Sequence, residues 1–193
     1  DLPVHHVPMG VPDIVEVGAE LVAASRRELG IPEDAFVVAN LGFVTPIKRV
    51  DSLLRAFARL LAAEPRALLL VVGEVSPAVD LAGLCERLGI SSRVRVPGYV
   101  SFEAWHAHLR AADVCVILRF SSAGETSASL LRIMGYGKPV LVSRYAQFRE
   151  LPASKRMWWL IVEPEGEVDL CWADPGFEVD LYVATDLRTM TAI

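Results

Sequence analysis

Between residues 35 and 143 the chain alternates short apolar runs with amphipathic stretches. The runs are Ala35 to Phe43, Ala67 to Gly73, Val94 to Val96, Val114 to Leu118 and Pro139 to Ser143. They are nearly continuous in Val, Leu and Ile instead of alternating with polar residues. That predicts strands buried on both faces, as in a parallel sheet covered by helices on each side. Between the runs the period changes to that of a helix. Val50, Leu53, Leu54, Phe57, Leu60 and Leu61 recur at spacings of three and four, and the stripe stops before Pro65. Further helices are expected at Ala19 to Leu29, stopped by Gly30-Ile31-Pro32, and at Val79 to Leu88, closed by Gly89. Two more follow, at Phe102 to Ala112 with Ser101 as N-cap, and from Ser127 to Tyr136, closed by Gly137 and Pro139. The expected fold is α/β, an open parallel sheet of five or more strands with helices on both faces, in which Ala67 to Val72 and Val114 to Leu118 are neighbours. Trp158 to Val162 offers a sixth strand, and the acidic stretch beyond it shows no helical stripe and stays unassigned.

Composition narrows the reading. At roughly 150 residues per domain, 193 residues with 53% hydrophobic content make one domain with extensions and a sizeable core. The formal net charge of −5 comes entirely from the end of the chain: residues 1–152 carry 16 acidic and 16 basic side chains, residues 153–193 carry 8 and 3. No basic footprint for nucleic acid is present, and the apolar runs fall well short of the ~18 residues of a membrane span. Cys85, Cys115 and Cys171 are widely separated, which argues against a disulfide framework or a zinc site and for a reducing, cytoplasmic compartment. The chain opens on Asp1 with no charged-then-apolar leader, so a piece of a longer protein is expected. Its organisation reads as an interdomain segment and helix over 1–33, a main domain over 34–152 and an atypical acidic tail over 153–193.

In an open parallel sheet, ligands bind beyond the carboxyl ends of the strands. The segments expected there are Gly42 to Lys48, Gly73-Glu74, Gly98-Tyr99, Arg119 to Ser127 and Ser143 to Glu150. Gly124-Glu125-Thr126-Ser127 leads into a helix, so free N–H groups and a positive dipole end would face the crevice and cradle an anion. The alternative is that Thr126 or Ser127 simply caps that helix. Lys48, on another loop of the same edge, would place an ammonium against a phosphate; the alternative is a solvated loop lysine. His5 and His6 are adjacent, and His106 and His108 lie two apart on a helix, so neither pair shares a face and no metal site is expected. Glu74 and Glu150 read as loop carboxylates, Arg119 as the edge of the core if it is not a ligand, Trp158 and Trp159 as packing, and Met134 and Tyr136 as core.

Taken in order, Val7-Pro8-Met9-Gly10-Val11, Gly42 with Lys48-Arg49, "LLLVVG", "RVRVPGYVS", "AADVCVILR", "GETSASLLRIMGYGKPVLVS" and "FRELP" resemble the C-terminal, donor-binding domain of retaining glycosyltransferases of the GT-B fold, family 4 (glycosyl transferases group 1). The resemblance covers about residues 4–152. It implies a Rossmann-like domain that binds a nucleotide diphosphate-sugar, a UDP- or GDP-sugar, without cofactor or metal. It also implies an acceptor site on a separate N-terminal domain, and a parent enzyme that is cytoplasmic or peripheral to the inner membrane face. Carried over residue by residue, it gives Lys48 and Glu125 catalytic roles. Together with the anion cradle read from the chain itself, the residues expected on the donor are Gly42, Lys48, Arg119, Gly124, Glu125, Thr126 and Ser127, of which Arg119 with Gly124 to Ser127 resembles a variant branch of the family. The pattern departs from the family where Phe43 replaces an arginine of the diphosphate clamp, and where Gly124 and Arg132 stand at the positions of two glutamates, Glu125 following one residue late. A non-catalytic nucleotide or nucleotide-sugar binding module is the competing function, and a free-standing domain that shares only the fold is a third.

Overall fold

The computed structural model describes residues 17–121, 125–143, 148 and, for the backbone alone, 159–162. The elements run α1 (Ala19–Glu28), β1 (Phe36–Leu41), α2 (Val50–Ala63), β2 (Ala67–Val72), α3 (Leu81–Arg87), β3 (Val94–Gly98), α4 (Phe102–Ala111), β4 (Val114–Ile117), α5 (Ala128–Gly135), β5 (Val140–Ser143) and β6 (Trp159–Val162). Among the described residues all strand pairs are parallel and form one six-stranded sheet in the order β3-β2-β1-β4-β5-β6. The order reverses at β1, the first strand, which pairs with β2 on one side and β4 on the other. The expected adjacency of Ala67 to Val72 and Val114 to Leu118 is therefore corrected: both lie in the sheet, with β1 between them.

Successive residues of β1 divide between two cores, as a strand's period of two requires. Val38 packs with Leu53, Leu54, Phe57 and Leu60 of α2 and with Leu81 and Cys85 of α3. Val37, Ala39 and Leu41 pack with Leu109 of α4 and with Leu130 and Ile133 of α5. Continuous apolar strands are thus explained by helices on both faces. β3, at the edge, is only partly buried and contains Pro97, which has no N–H to offer an approaching strand.

The caps set the helix boundaries. Ser101 Oγ accepts from Ala104 N at 3.2 Å, as expected, so α4 begins at Phe102. Val79 lies outside α3 because Asp80 is the cap, its Oδ1 accepting from Gly83 N at 3.0 Å. Asp113 does more than follow α4. Its carboxylate accepts from Val37 N at 2.7 Å and from Arg26 Nη2 at 2.8 Å, tying α1, β1 and β4 together. Val7 to Val11, His5, His6, Gly124, Glu150, Trp158, Cys171 and most of the acidic tail lie outside the described residues.

Candidate anion site at the carboxyl edge of the sheet

The switch in strand order at β1 opens the crevice in which a doubly wound sheet binds ligands. Gly42 follows β1 with φ 123°, a conformation that L side chains rarely adopt, and its N–H donates to Val72 O at 2.8 Å. Gly73 matches it at the end of β2 with φ 143°; a Cβ there would collide with the Gly42 carbonyl. Past the glycines the two loops stay paired, Val44 N donating to Glu74 O at 2.8 Å and Ser76 N to Val44 O at 2.9 Å. This stitched pair of loops is the base for a short 3-10 turn, Pro46–Lys48. Arg49 ends the turn in the left-handed region, φ 48°, and its Nη2 donates to Ser52 Oγ at 3.0 Å, one turn into α2.

Lys48 returns toward the sheet. A Cβ added to Gly42 would lie 3.3 Å from Lys48 Nζ and 2.8 Å from Ser129 Oγ, so the ammonium and the first turn of α5 meet over the same glycine. Burial, helped by the positive charge of Arg119, pulls the Lys48 pKa down from 10.5 to about 8. Arg119 follows β4. Its own N–H is held by Ser143 Oγ at 3.0 Å, while Phe120 N donates to Ile47 O at 2.8 Å and docks this loop on the lysine's turn. Burial also lowers the Arg119 pKa. Its Nη1 is ion-paired with Glu125 without hydrogen-bond geometry, and its Nε is buried with no hydrogen-bond partner.

At the start of α5, Ser127 Oγ accepts from Leu130 N at 3.3 Å. The capping alternative is therefore realised for Ser127, and it does not remove the cradle: the N–H groups of Ala128 and Ser129, in the first turn, have no intrahelical acceptor. Gly42, Lys48, Arg119 and the start of α5 come together as the sequence predicts. Glu125 is paired with Arg119 and 44% exposed in its side chain, Thr126 is exposed, and Gly124 lies outside the described residues. Phe43 is 50% exposed at the crevice mouth. Ser129, whose hydroxyl stands over Gly42, is a residue that sequence reasoning did not single out. Its signal was the hydroxyl-rich Thr126-Ser127-Ala128-Ser129 run.

His106 and His108 serve the fold. His108 is buried, with Nδ1 donating to Ala104 O at 2.7 Å, and His106 Nδ1 meets the Tyr136 hydroxyl. Among the described residues no three His, Cys, Asp or Glu side chains gather as a metal site would need, and no helix is long and apolar enough to cross a membrane.

Relatives share this architecture. The chain is 32% identical over 147 residues to D-inositol 3-phosphate glycosyltransferase 2 of Catenulispora acidiphila, covering 72% of this chain and 34% of that protein. It thus spans about a third of that relative's length. The crystal structure of Anabaena Alr3699/HepE in complex with UDP and glucose superposes with a TM-score of 0.65 at 20% identity, covering 79% of this chain and 42% of the other. The C-terminal domain of a glycosyl transferase group 1 family protein, LpcC, of Francisella tularensis superposes with a TM-score of 0.61 at 18% identity, covering 75% of each chain. The family described as glycosyl transferases group 1 matches residues 22–166. With three-quarters of its length in that match, the chain belongs to the glycosyl transferases group 1 family.

Proposed function

We propose that this chain is the donor-binding half of a retaining glycosyltransferase and that its crevice holds the diphosphate of a nucleotide-sugar. The observation that carries the reading is the pair Lys48 and Arg119. Arg119 is buried and Lys48 half-buried, and the guanidinium disfavours the charged form of the lysine, so the pair costs stability unless an anion completes the site. The N-terminus of α5, pointing to the same place, favours negative charge as well. Transfer breaks the bond between the sugar's anomeric carbon and the phosphate, and negative charge grows on the diphosphate. Lys48, Arg119 and the free N–H groups of α5 are fixed in advance to stabilise that charge, with no metal required. Glu125, paired with Arg119, orients the guanidinium and lies within the loop that would border the donor sugar. The superposition on a structure that contains UDP and glucose supports a sugar nucleotide as the ligand class. The acceptor site belongs to an N-terminal domain, so this chain alone is expected to transfer no sugar.

Calorimetric titration with UDP and GDP tests the site. A hydrogen bond to a charged group contributes about 1.5–3 kcal/mol, so Lys48→Ala should weaken binding roughly 10- to 150-fold. Arg49→Ala, whose guanidinium is engaged with Ser52, should bind as the parent does. Equal losses would mean a diffuse positive field. The second reading, a non-catalytic nucleotide-binding module, is favoured by Phe43, which brings no cation to the position where the family has an arginine. Turnover by the full-length parent separates the two.

A further inference from the structure

Two polar side chains from different elements crowd Gly42: Ser129 Oγ and Lys48 Nζ lie 2.8 and 3.3 Å from the point where a Cβ would stand. Neither atom hydrogen-bonds to the other or to any other described residue. Ser129 is half-buried, the second residue of α5. So near the start of the helix, the residue four back, Glu125, precedes the N-cap, and no helical carbonyl stands there to take the Ser129 hydroxyl. The hydroxyl, the ammonium and the N–H groups of the first turn of α5 converge, while the neighbouring Arg119 keeps a buried Nε without a hydrogen bond. An oxygen that accepts from several donors at once would satisfy all of these groups, and a non-bridging phosphate oxygen has that capacity.

We infer that Ser129 is a direct phosphate ligand of the donor site, its Oγ–H donating to an oxygen that Lys48 also holds. The inference rests on reading the crevice as a nucleotide diphosphate site. It gives α5 a side-chain donor that Phe43 does not supply from β1, and it explains why position 42 must lack a side chain: any Cβ would occupy the space in which the two donors meet.

The test uses the whole chain, titrated with UDP and GDP. Ser129→Ala removes the hydroxyl and puts the best helix former into α5, so folding is preserved. Ser129→Cys is a near-isosteric second variant with only a weak donor. Both should lose affinity about ten-fold, with the circular dichroism spectrum unchanged. Because a neutral donor is lost, the loss should persist at high salt, whereas the loss in Lys48→Ala should shrink as salt screens the ammonium. Parental affinity in both Ser129 variants, with Lys48→Ala weakened, would overturn the role of Ser129 and leave the donor site standing. Absence of UDP and GDP binding by the unsubstituted chain would overturn both.

Discussion

At opposite ends of the sheet sit two arginine–lysine pairs with the same composition and opposite fates. Arg26 and Arg119 are 8% and 7% exposed, yet Arg26 is saturated: Nε donates to Ala111 O, Nη1 to Glu33 O and Ala35 O, and Nη2 to both oxygens of Asp113. Its neighbour Lys138 donates to Arg110 O at 2.8 Å and Ala112 O at 2.7 Å, at the end of α4. At the carboxyl end, Arg119 keeps an unpaired Nε and Lys48 Nζ has no hydrogen-bond partner among the described residues. Burial is therefore a poor guide to role. The number of donors left over separates a cation that joins segments from one that we propose meets a ligand.

The largest effect should come from breaking the saturated pair. Removing one partner of a buried ion pair costs about 3–5 kcal/mol. With Asp113 30% exposed in its side chain, Arg26→Met should cost about 3 kcal/mol in urea unfolding, at the low end of that range. Arg119→Met should cost less than about 1 kcal/mol, because its partner Glu125 is solvated. Equal losses would erase the contrast.

Lys48→Met should go the other way. The folded pKa, about 8, lies below the ordinary 10.5, so the unfolded chain holds the proton more firmly. Stability then rises with pH between 8 and 10.5, and below 8 the folded state bears the whole cost of the buried charge. The substitution should stabilise the chain at pH 7 and lose that advantage as pH climbs toward 10. The same shift marks ligand binding: a bound phosphate restores the proton, so UDP binding should take up protons at pH 8, where the terminal phosphate of UDP is already ionised. Calorimetry in two buffers of different ionisation enthalpy reads this directly.

The smallest effect concerns His106. Burial, with Arg110 and Arg132 nearby, lowers its pKa below 6.5, so the stability present above pH 6.5 should decline as pH falls through the lowered value. His106→Gln should flatten that slope in thermal melts. An unchanged slope would place the acid sensitivity elsewhere.

The strands were legible because a run buried on both faces has few polar interruptions; their order was not. β2 and β4 look alike in sequence, and the choice of β1 as the strand between them depends on how the crossovers wind. Lys48 was legible from its place after β1. Ser129 was not, since a serine inside a helical stripe reads as a neutral surface residue until Gly42 is seen opposite. The pairing of Glu125 with Arg119 and of Arg26 with Asp113 likewise needed the folded chain, because each joins loops or helices whose contact no local pattern encodes.

Gly73 has no side chain to offer a ligand, and the space above it is filled by the carbonyl of Gly42. A methyl group at position 73 would push on the loop that holds Lys48 and shift the ammonium without altering a single donor. In a screen of random variants for nucleotide affinity, this glycine would score as a contact residue. What such a screen would register there is clearance, inherited by the site from a neighbouring strand.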